Sequence, residues 1–548
     1  MIFSHNERIL ILGAGIMQGP ALRIAREMGL KTAAVDGDPE APCASLADRF
    51  ACIDLKDIEG ITAFGRLLQA EGGLSGIMTA GTDFSASVAY AAEQLGLPGI
   101  PYEAALNASD KERMRRCFKA ARLPSPAFTV LRQNPAPDFA LPFGYPVVVK
   151  PVDNMGGRGC RRVDSPAGLE VAVRDSLKFS RSGRVIVEEY MNGPEFSLDA
   201  VVYQGEVILC GFADRHIYFP PYFIEMGHTM PSVLDESSRA QVLEVFIAGI
   251  RALGITLGAA KGDLKLSSPG PMIGEIAARL SGGYMSGWTY PYASGVEPTR
   301  GAILAALGKK PEIPVPCRTW TSAERAFISI PGKIRSILNL DNAKSAEGVT
   351  DLFLRVQTGD RVRFPENNVS KCGNVISAAP SRESAVAAAE GAARTVAIRL
   401  EAPDRETDVF LAEDPFSPEK KAAGAVPPAF QVASAILTRL STLPEEAPPL
   451  AAPPGKPEAL FILPFPEFTE SGILDYMGRS VEASLTLVRD LTGLPLPLGG
   501  GDTDENGAFP LGRAFWSALI RGGYQGGAYW VDRLLNTMGG STPRRAEG

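Results

Sequence analysis

Between Arg8 and Gly99, short apolar runs alternate with helical stretches: RILILGAG, a helix through ALRIAREMG, KTAAVD, RFACIDL, another helix, GIMTA, and a helix from Phe84 to Leu95. Strands alternating with helices predict a parallel sheet of α/β type. A capped helix follows over Asn107 to Arg122, and the two prolines of LPSPAF stop it, marking a domain boundary near residue 109. The pattern then changes to strands, FGYPVVVKP, GRVIVEEYM, FSLDAVVYQGEVILCGFADR, GAAKGDLKL and PMIGEIAARL, which predict an α+β domain with antiparallel pairs over 110–318. Residues 319–401 add strands and the helix SRESAVAAAEGAARTVAIRL, a lobe completing that domain. The stretch 402–458 is rich in proline and reads as a linker, and 459–548 reads as a mostly helical extension with no catalytic constellation and a polar tail.

Composition narrows the classes. A chain of 548 residues is too long for one core, so roughly three to four domains of about 100 to 200 residues are expected. Hydrophobic residues at 45% and charged residues at 21% exclude a disordered or fibrous chain. The net charge of -7 is spread along the chain, which gives no footprint for nucleic acid or an anionic membrane and favours small-molecule partners. The seven cysteines are scattered, and the apolar runs fall short of a spanning helix, so a reducing cytoplasm is expected.

The strongest chemical signal is KGDLKLSSPGPMIGEIAARLSGG, two strands around the turn SSPGP. Asp263 and Glu275 each stand six residues from Pro269, so a symmetric hairpin makes them cross-strand neighbours about 4.5 to 5.5 Å apart. Two facing carboxylates suit Mg²⁺, although a solvated face neutralised by Lys265 remains an alternative. Arg279 follows on the same face and could hold a phosphate or carboxylate. In KPVDNMGGRGCRRV, Lys150 ends a strand and Gly156, Gly157 and Gly159 form a loop open to phosphate oxygens, or else a plain hairpin turn. VIVEEYMNGPEFSLD places Glu188, Glu189 and Glu195 where acids could meet adenine or ribose, or merely face solvent. Of the three histidines, His5, His216 and His228, the last two fall in DRHIYFPPYFIEMGH, where Glu225 and His228 suggest a loop lining a site. ILGAGIMQG with Asp36 leaves a nicotinamide-binding turn as a weaker alternative, since its spacing is GxGxxxG.

In this order the segments resemble the ATP-grasp superfamily, over about residues 8 to 400. The resemblance implies a Rossmann-like parallel-sheet domain, 1–109, ahead of an ATP-grasp fold of two α+β lobes. It implies ATP and Mg²⁺, with Lys111 and Lys150 on phosphates and the NMGGRG loop closing over them. Glu188 and the Glu189–Tyr190 backbone would meet adenine, and Glu195 the ribose. Asp263 and Glu275 fall at the magnesium positions and Arg279 at the acyl-phosphate position, whereas Ala277 replaces the usual asparagine. PPYFIEMGHTMPS and EIAARLSGG resemble the branch of L-amino acid ligases, which implies metal and phosphate roles for Glu225 and His228. The implied activity joins a small-molecule carboxylate to an amine and leaves a homodimer open. The nearest alternative is a bicarbonate-activating enzyme of the biotin carboxylase or carbamoyl phosphate synthase kind.

Overall fold

The computed structural model describes residues 7–136, 139–312, 315–414, 426–446, 460–499 and 509–538. His5, the end of the proline run at 447–459 and the polar tail lie outside the described residues. The chain forms two compact units, Met1–Arg325 with Ile376–Ala389, and Ala326–Val375 with Glu390–Gly548.

The first unit opens with strands β1 (Arg8–Leu12), β2 (Lys31–Asp36), β3 (Arg49–Cys52) and β4 (Gly76–Thr79), parallel in the order β3-β2-β1-β4. β1 is buried on both faces: Ile9 and Ile11 enter one core, Leu10 and Leu12 the other, as the period of two requires. The turn after β1 is closed by the protein itself. The Ala14 N–H donates to Asp36 Oδ2 at 2.8 Å, and the Gly15 N–H donates to the buried Gln18 Oε1 at 3.0 Å. The Asp36 carboxylate and these two N–H donors, which would face a dinucleotide, are thus engaged within the protein.

Asp110 caps the helix Lys111–Ala120 by accepting from the N–H groups of Glu112 and Arg113. A four-stranded antiparallel lobe follows, β5 (Phe128–Leu131), β6 (Val147–Pro151), β7 (Arg161–Val163) and β8 (Val185–Glu189), ordered β5-β8-β6-β7 over a valine-rich core. The larger sheet contains β9 (Glu195–Tyr203), β10 (Glu206–Tyr218), β11 (Ile224–Met230), β12 (Leu257–Ser267), β13 (Gly270–Ala277) and β14 (Thr321–Phe327), in the order β13-β12-β9-β10-β11-β14. Helix Glu236–Leu253 covers it, with Val242, Phe246 and Ile250 packed beside Met114 and Phe118.

The second unit is built around helix Arg513–Met538, which breaks at Gly523, and the strands Gly332–Leu338 and Ala397–Leu400. The Ile398 N–H donates to the Tyr524 hydroxyl at 3.0 Å, and the Ile330 N–H to Gln525 at 3.1 Å. Within 402–458 the described residues include helices Arg405–Ala412 and Ser434–Leu440, and Phe410, Phe430 and Ile436 are buried. These described residues pack rather than form an open spacer, because apolar residues such as Phe430, Val432, Ile436 and Leu443 dock on the unit's core. Among the described residues no helix is long and apolar enough to cross a membrane.

Candidate functional site

All of the residues singled out above, apart from His5, lie in the first unit. Lys111, the first residue of its helix, is buried. Its Nζ donates to the Asn154 carbonyl at 2.9 Å and stands 3.4 Å from Glu275 Oε1. Burial alone would lower its pKa, but Glu275, Asp83 and Glu188 outweigh that and raise it, so the ammonium stays charged. The loop beginning at Asn154 joins β6 to β7 and runs through Gly156, Gly157 and Gly159, all three at positive φ.

Lys150 lies 2.8 Å from Glu188 Oε2, and Arg115 Nε donates to Glu188 Oε1 at 2.8 Å. Both carboxylate oxygens of Glu188 are thus held by cations, and the residue is buried. Burial would raise its pKa, but Arg115 and Lys150 bring it down to about 2. The N–H groups of Glu189 and Tyr190 are also used, by the carbonyls of Ala127 at 2.9 Å and Pro146 at 3.1 Å. The Tyr190 ring carries the Arg162 guanidinium at 4.4 Å and the Lys265 ammonium at 5.2 Å.

Asp263 and Glu275 are direct register partners, but not for the reason their symmetry about Pro269 suggests. The hairpin closes at Ser267 and Gly270, a tip that by itself would align Asp263 with Gly274. A bulge at Gly274 shifts the ladder by one residue and brings Glu275 opposite Asp263. The same device acts between β10 and β11. The segment around Glu225 and His228 is a wholly buried strand, not the loop its aromatic and proline residues suggested. Residues three apart on a regular strand face opposite ways. The register shift between His216 and Ile217 leaves Met226 as the extra residue, and His228 Nε2 then lies 3.4 Å from Glu225 Oε1.

Arg215, passed over in the sequence, joins the acids. Its Nε donates to Glu225 Oε2 at 2.6 Å, its Nη1 lies 3.0 Å from Asp263 Oδ2, and it also pairs with Glu195. Lys261 pairs with Asp263, and Lys265 Nζ stands 3.3 Å from Glu195 Oε2. Hairpin spacing alone would set Asp214 opposite Glu195; the register shift between Leu209 and Gly211 brings Arg215 there instead. His228 Nδ1 is 3.1 Å from Glu324 Oε2. Burial would lower the His228 pKa, yet Glu225 and Glu324 raise it to about 9, so the imidazole is a cation at neutral pH. Arg279 Nε donates to Asp83 Oδ1 at 2.8 Å, another partner that the sequence did not reveal. Asp199, pushed up to about 6 by burial, accepts from the Ser281 N–H at 3.0 Å and pins the turn that follows Arg279 to β9.

Asp263 and Glu275 fit a magnesium ion, which commonly takes one or two carboxylates and fills its remaining positions with water and phosphate oxygens. Among the described residues, no three or more His, Cys, Asp or Glu side chains gather as a metal-binding group. The Arg215 guanidinium stands between Glu225 and Asp263 and pairs with both.

Residues 143–287 match the family described as ATP-grasp domain, and residues 326–401 match L-amino acid ligase C-terminal domain 2. Carnosine synthase 1 of Gallus gallus is 29% identical over 338 residues, covering 57% of this chain and 36% of that protein. The carbamoyl phosphate synthase large chain of Pseudomonas aeruginosa is 26% identical over 398 residues, covering 64% of this chain and 34% of the relative. The chain therefore spans only about a third of the length of these curated relatives. The crystal structure of L-amino acid ligase from Bacillus licheniformis superposes with a TM-score of 0.63 at 23% identity, covering 73% of this chain and all of that one. Biotin carboxylase from Campylobacter jejuni gives a TM-score of 0.54 at 22% identity, covering 71% of this chain and 91% of its own. The chain thus carries an ATP-grasp domain, matched over residues 143–287, followed by an L-amino acid ligase C-terminal domain 2, matched over residues 326–401.

Proposed function

We propose that the protein is a carboxylate-amine ligase, with residues 110–318 as its nucleotide-binding part. The carrying observation is the row of charged groups beside the glycine loop, Lys150, Lys111, Glu275, Asp263 and Arg279, with every acid in it held by a cation. In this reading Lys111 and Lys150 bind ATP phosphates, and the loop through Gly156, Gly157 and Gly159 covers them. Asp263 and Glu275 hold magnesium, which neutralises phosphate charge when bound. Glu188 sets the position of Lys150, and Glu195 serves the ribose. Glu225 and His228 line the far side of Asp263, with His228 as a fixed cation for phosphate oxygens.

The γ-phosphoryl group passes to an oxygen of the substrate carboxylate and ADP leaves. The amine then attacks the acyl carbon, phosphate departs, and the amine proton is lost to solvent. Arg279 stabilises the acyl phosphate. Such transfer requires positioning and charge compensation rather than a side-chain nucleophile. Loop closure over the intermediate would exclude water. The test is ADP release in the presence of ATP, magnesium and paired panels of acids and amines, with products identified by mass spectrometry. An amide product supports the reading. ADP release driven by bicarbonate alone would favour the bicarbonate-activating alternative, and no ADP with any acid would reject the ligase.

A further inference from the structure

A cleft of about 640 Å³ opens in the first unit, its wall running from Asp83, the partner of Arg279, past Phe84 and Asn154 to Arg132 and Arg181. That volume suits a ligand larger than a single small amino acid. Its charges are unequal, with six cationic side chains against four carboxylates. Each carboxylate is already matched within the protein. Asp83 accepts from Arg279 at 2.8 Å, Asp110 pairs with Arg184, and Glu112 accepts from both Arg116 and Arg184 at 2.6 Å. Asp153 accepts from the N–H groups of Arg181 at 3.1 Å and Ser182 at 2.7 Å, and from the Ser180 hydroxyl at 3.0 Å.

Lys56, Arg132 and Arg181 line the same wall, and among the described residues no carboxylate lies within ion-pair distance of their side chains. The Arg181 guanidinium lies 6.0 Å above the Phe84 ring, so it reaches from the glycine-loop side of the cleft to the first domain. Two guanidinium forks with no carboxylate partner among the described residues, facing one cavity, are suited to a planar carboxylate or a phosphate.

We propose that the cleft receives a substrate carrying a second anionic group, a carboxylate or a phosphate, bound by Arg132 and Arg181 with Lys56 adding positive charge. The proposal rests on the ligase reading, in which the reacting carboxylate lies at Arg279 beside Asp83. The second group extends from there to the arginine end. A neutral substrate of equal size would leave the arginines without their acceptor, so discrimination should be steep.

The experiment uses the full chain with ATP and magnesium and measures ADP release for matched pairs: L-glutamate against L-glutamine, L-aspartate against L-asparagine, and O-phospho-L-serine against L-serine. Each is offered alone and with an amine mixture. At least one anionic member should exceed its neutral partner tenfold or more in kcat/KM, and the identity of that pair separates carboxylate from phosphate. In the Arg132→Ala/Arg181→Ala double variant this preference should fall at least tenfold. Both side chains are exposed, and an unchanged melting temperature verifies the fold. Neutral members used as well as anionic ones, or a preference that survives the double variant, would overturn the proposal. So would loss of ATP affinity in the double variant, which would assign the arginines to the nucleotide. ADP release only with uncharged acids outside these pairs rejects the anionic substrate and leaves the ligase standing; no ADP with any acid rejects both.

Discussion

Both units bury charge, but they use it differently. In the second unit the buried Arg521 donates to the carbonyls of Phe410 at 3.1 Å, Val426 at 2.9 Å and Pro427 at 3.1 Å, and its guanidinium lies 3.8 Å above the Phe410 ring. Arg479 donates to the Arg394 carbonyl at 3.0 Å, and Asp475 accepts from the N–H groups of Met477 at 2.8 Å and Arg479 at 2.9 Å. Arg521 also pairs with Glu413 at 3.1 Å and Arg479 with Asp475 at 3.6 Å, but most of these contacts satisfy backbone groups in turns and chain crossings, a structural use. In the first unit the buried charges hold one another: Glu188 between Arg115 and Lys150, Asp263 between Arg215 and Lys261, Asp83 against Arg279. Side-chain pairs beside a cleft can exchange partners with a ligand, whereas charges locked to backbone cannot do so without unfolding. Burial of charge is therefore a weaker sign of function than the kind of partner it has.

That contrast can be broken at several points. The largest effect is expected for Glu275→Gln, nearly isosteric, which should reduce turnover at least a hundredfold, about 3 kcal/mol by comparison with other active-site deletions, with little change in melting temperature. Normal turnover with unchanged magnesium dependence would return Glu275 to a surface role.

Next comes Glu188. Its pKa falls from 4.5 to about 2 on folding, so its stabilisation is present above pH 4.5 and is lost as the pH falls toward 2. The contribution is on the order of 3 kcal/mol, at a site buried enough to escape most solvent screening. Denaturant titrations between pH 6 and pH 2.5 should show a steeper loss in the parent than in Glu188→Gln; parallel curves would remove Glu188 as the anchor of Lys150. Lys150→Ala should weaken ATP about tenfold, roughly the worth of one charged hydrogen bond, as read by calorimetry.

The smallest effect on nucleotide is expected in the other unit. Arg521→Ala should lower stability by about 1 to 3 kcal/mol through orphaned carbonyls, and leave ATP affinity unchanged. A loss of ATP binding there would erase the distinction between the units.

The parallel strands of the first domain were legible in the sequence, because β1, β2 and β4 are short apolar runs between helices, although their order was not. It also identified the Asp263–Glu275 pair, although two local features had to cancel: a tip at Ser267 and Gly270, and a bulge at Gly274. Bulges leave little trace in hydrophobic periodicity, so the strand conformation of Glu225 and His228 was hidden as well. The burial of Glu188 was not legible, because a glutamate at a strand end reads as exposed and its partner Arg115 lies 73 residues earlier in the chain. Arg215 and Asp83 escaped notice for a similar reason. Their importance comes from partners brought together by the fold, not from any local spacing. The helices within 402–458 were masked by the prolines between them.

The most direct measurement follows the carboxylate oxygens. With a substrate acid labelled with oxygen-18 in its carboxylate, turnover with ATP and an amine should place one labelled oxygen in the released phosphate, since the phosphoryl group departs with the oxygen it was transferred to. Amide formation with unlabelled phosphate, or release of unlabelled phosphate alone, would contradict an acyl phosphate held between Arg279 and the lysines of the glycine loop.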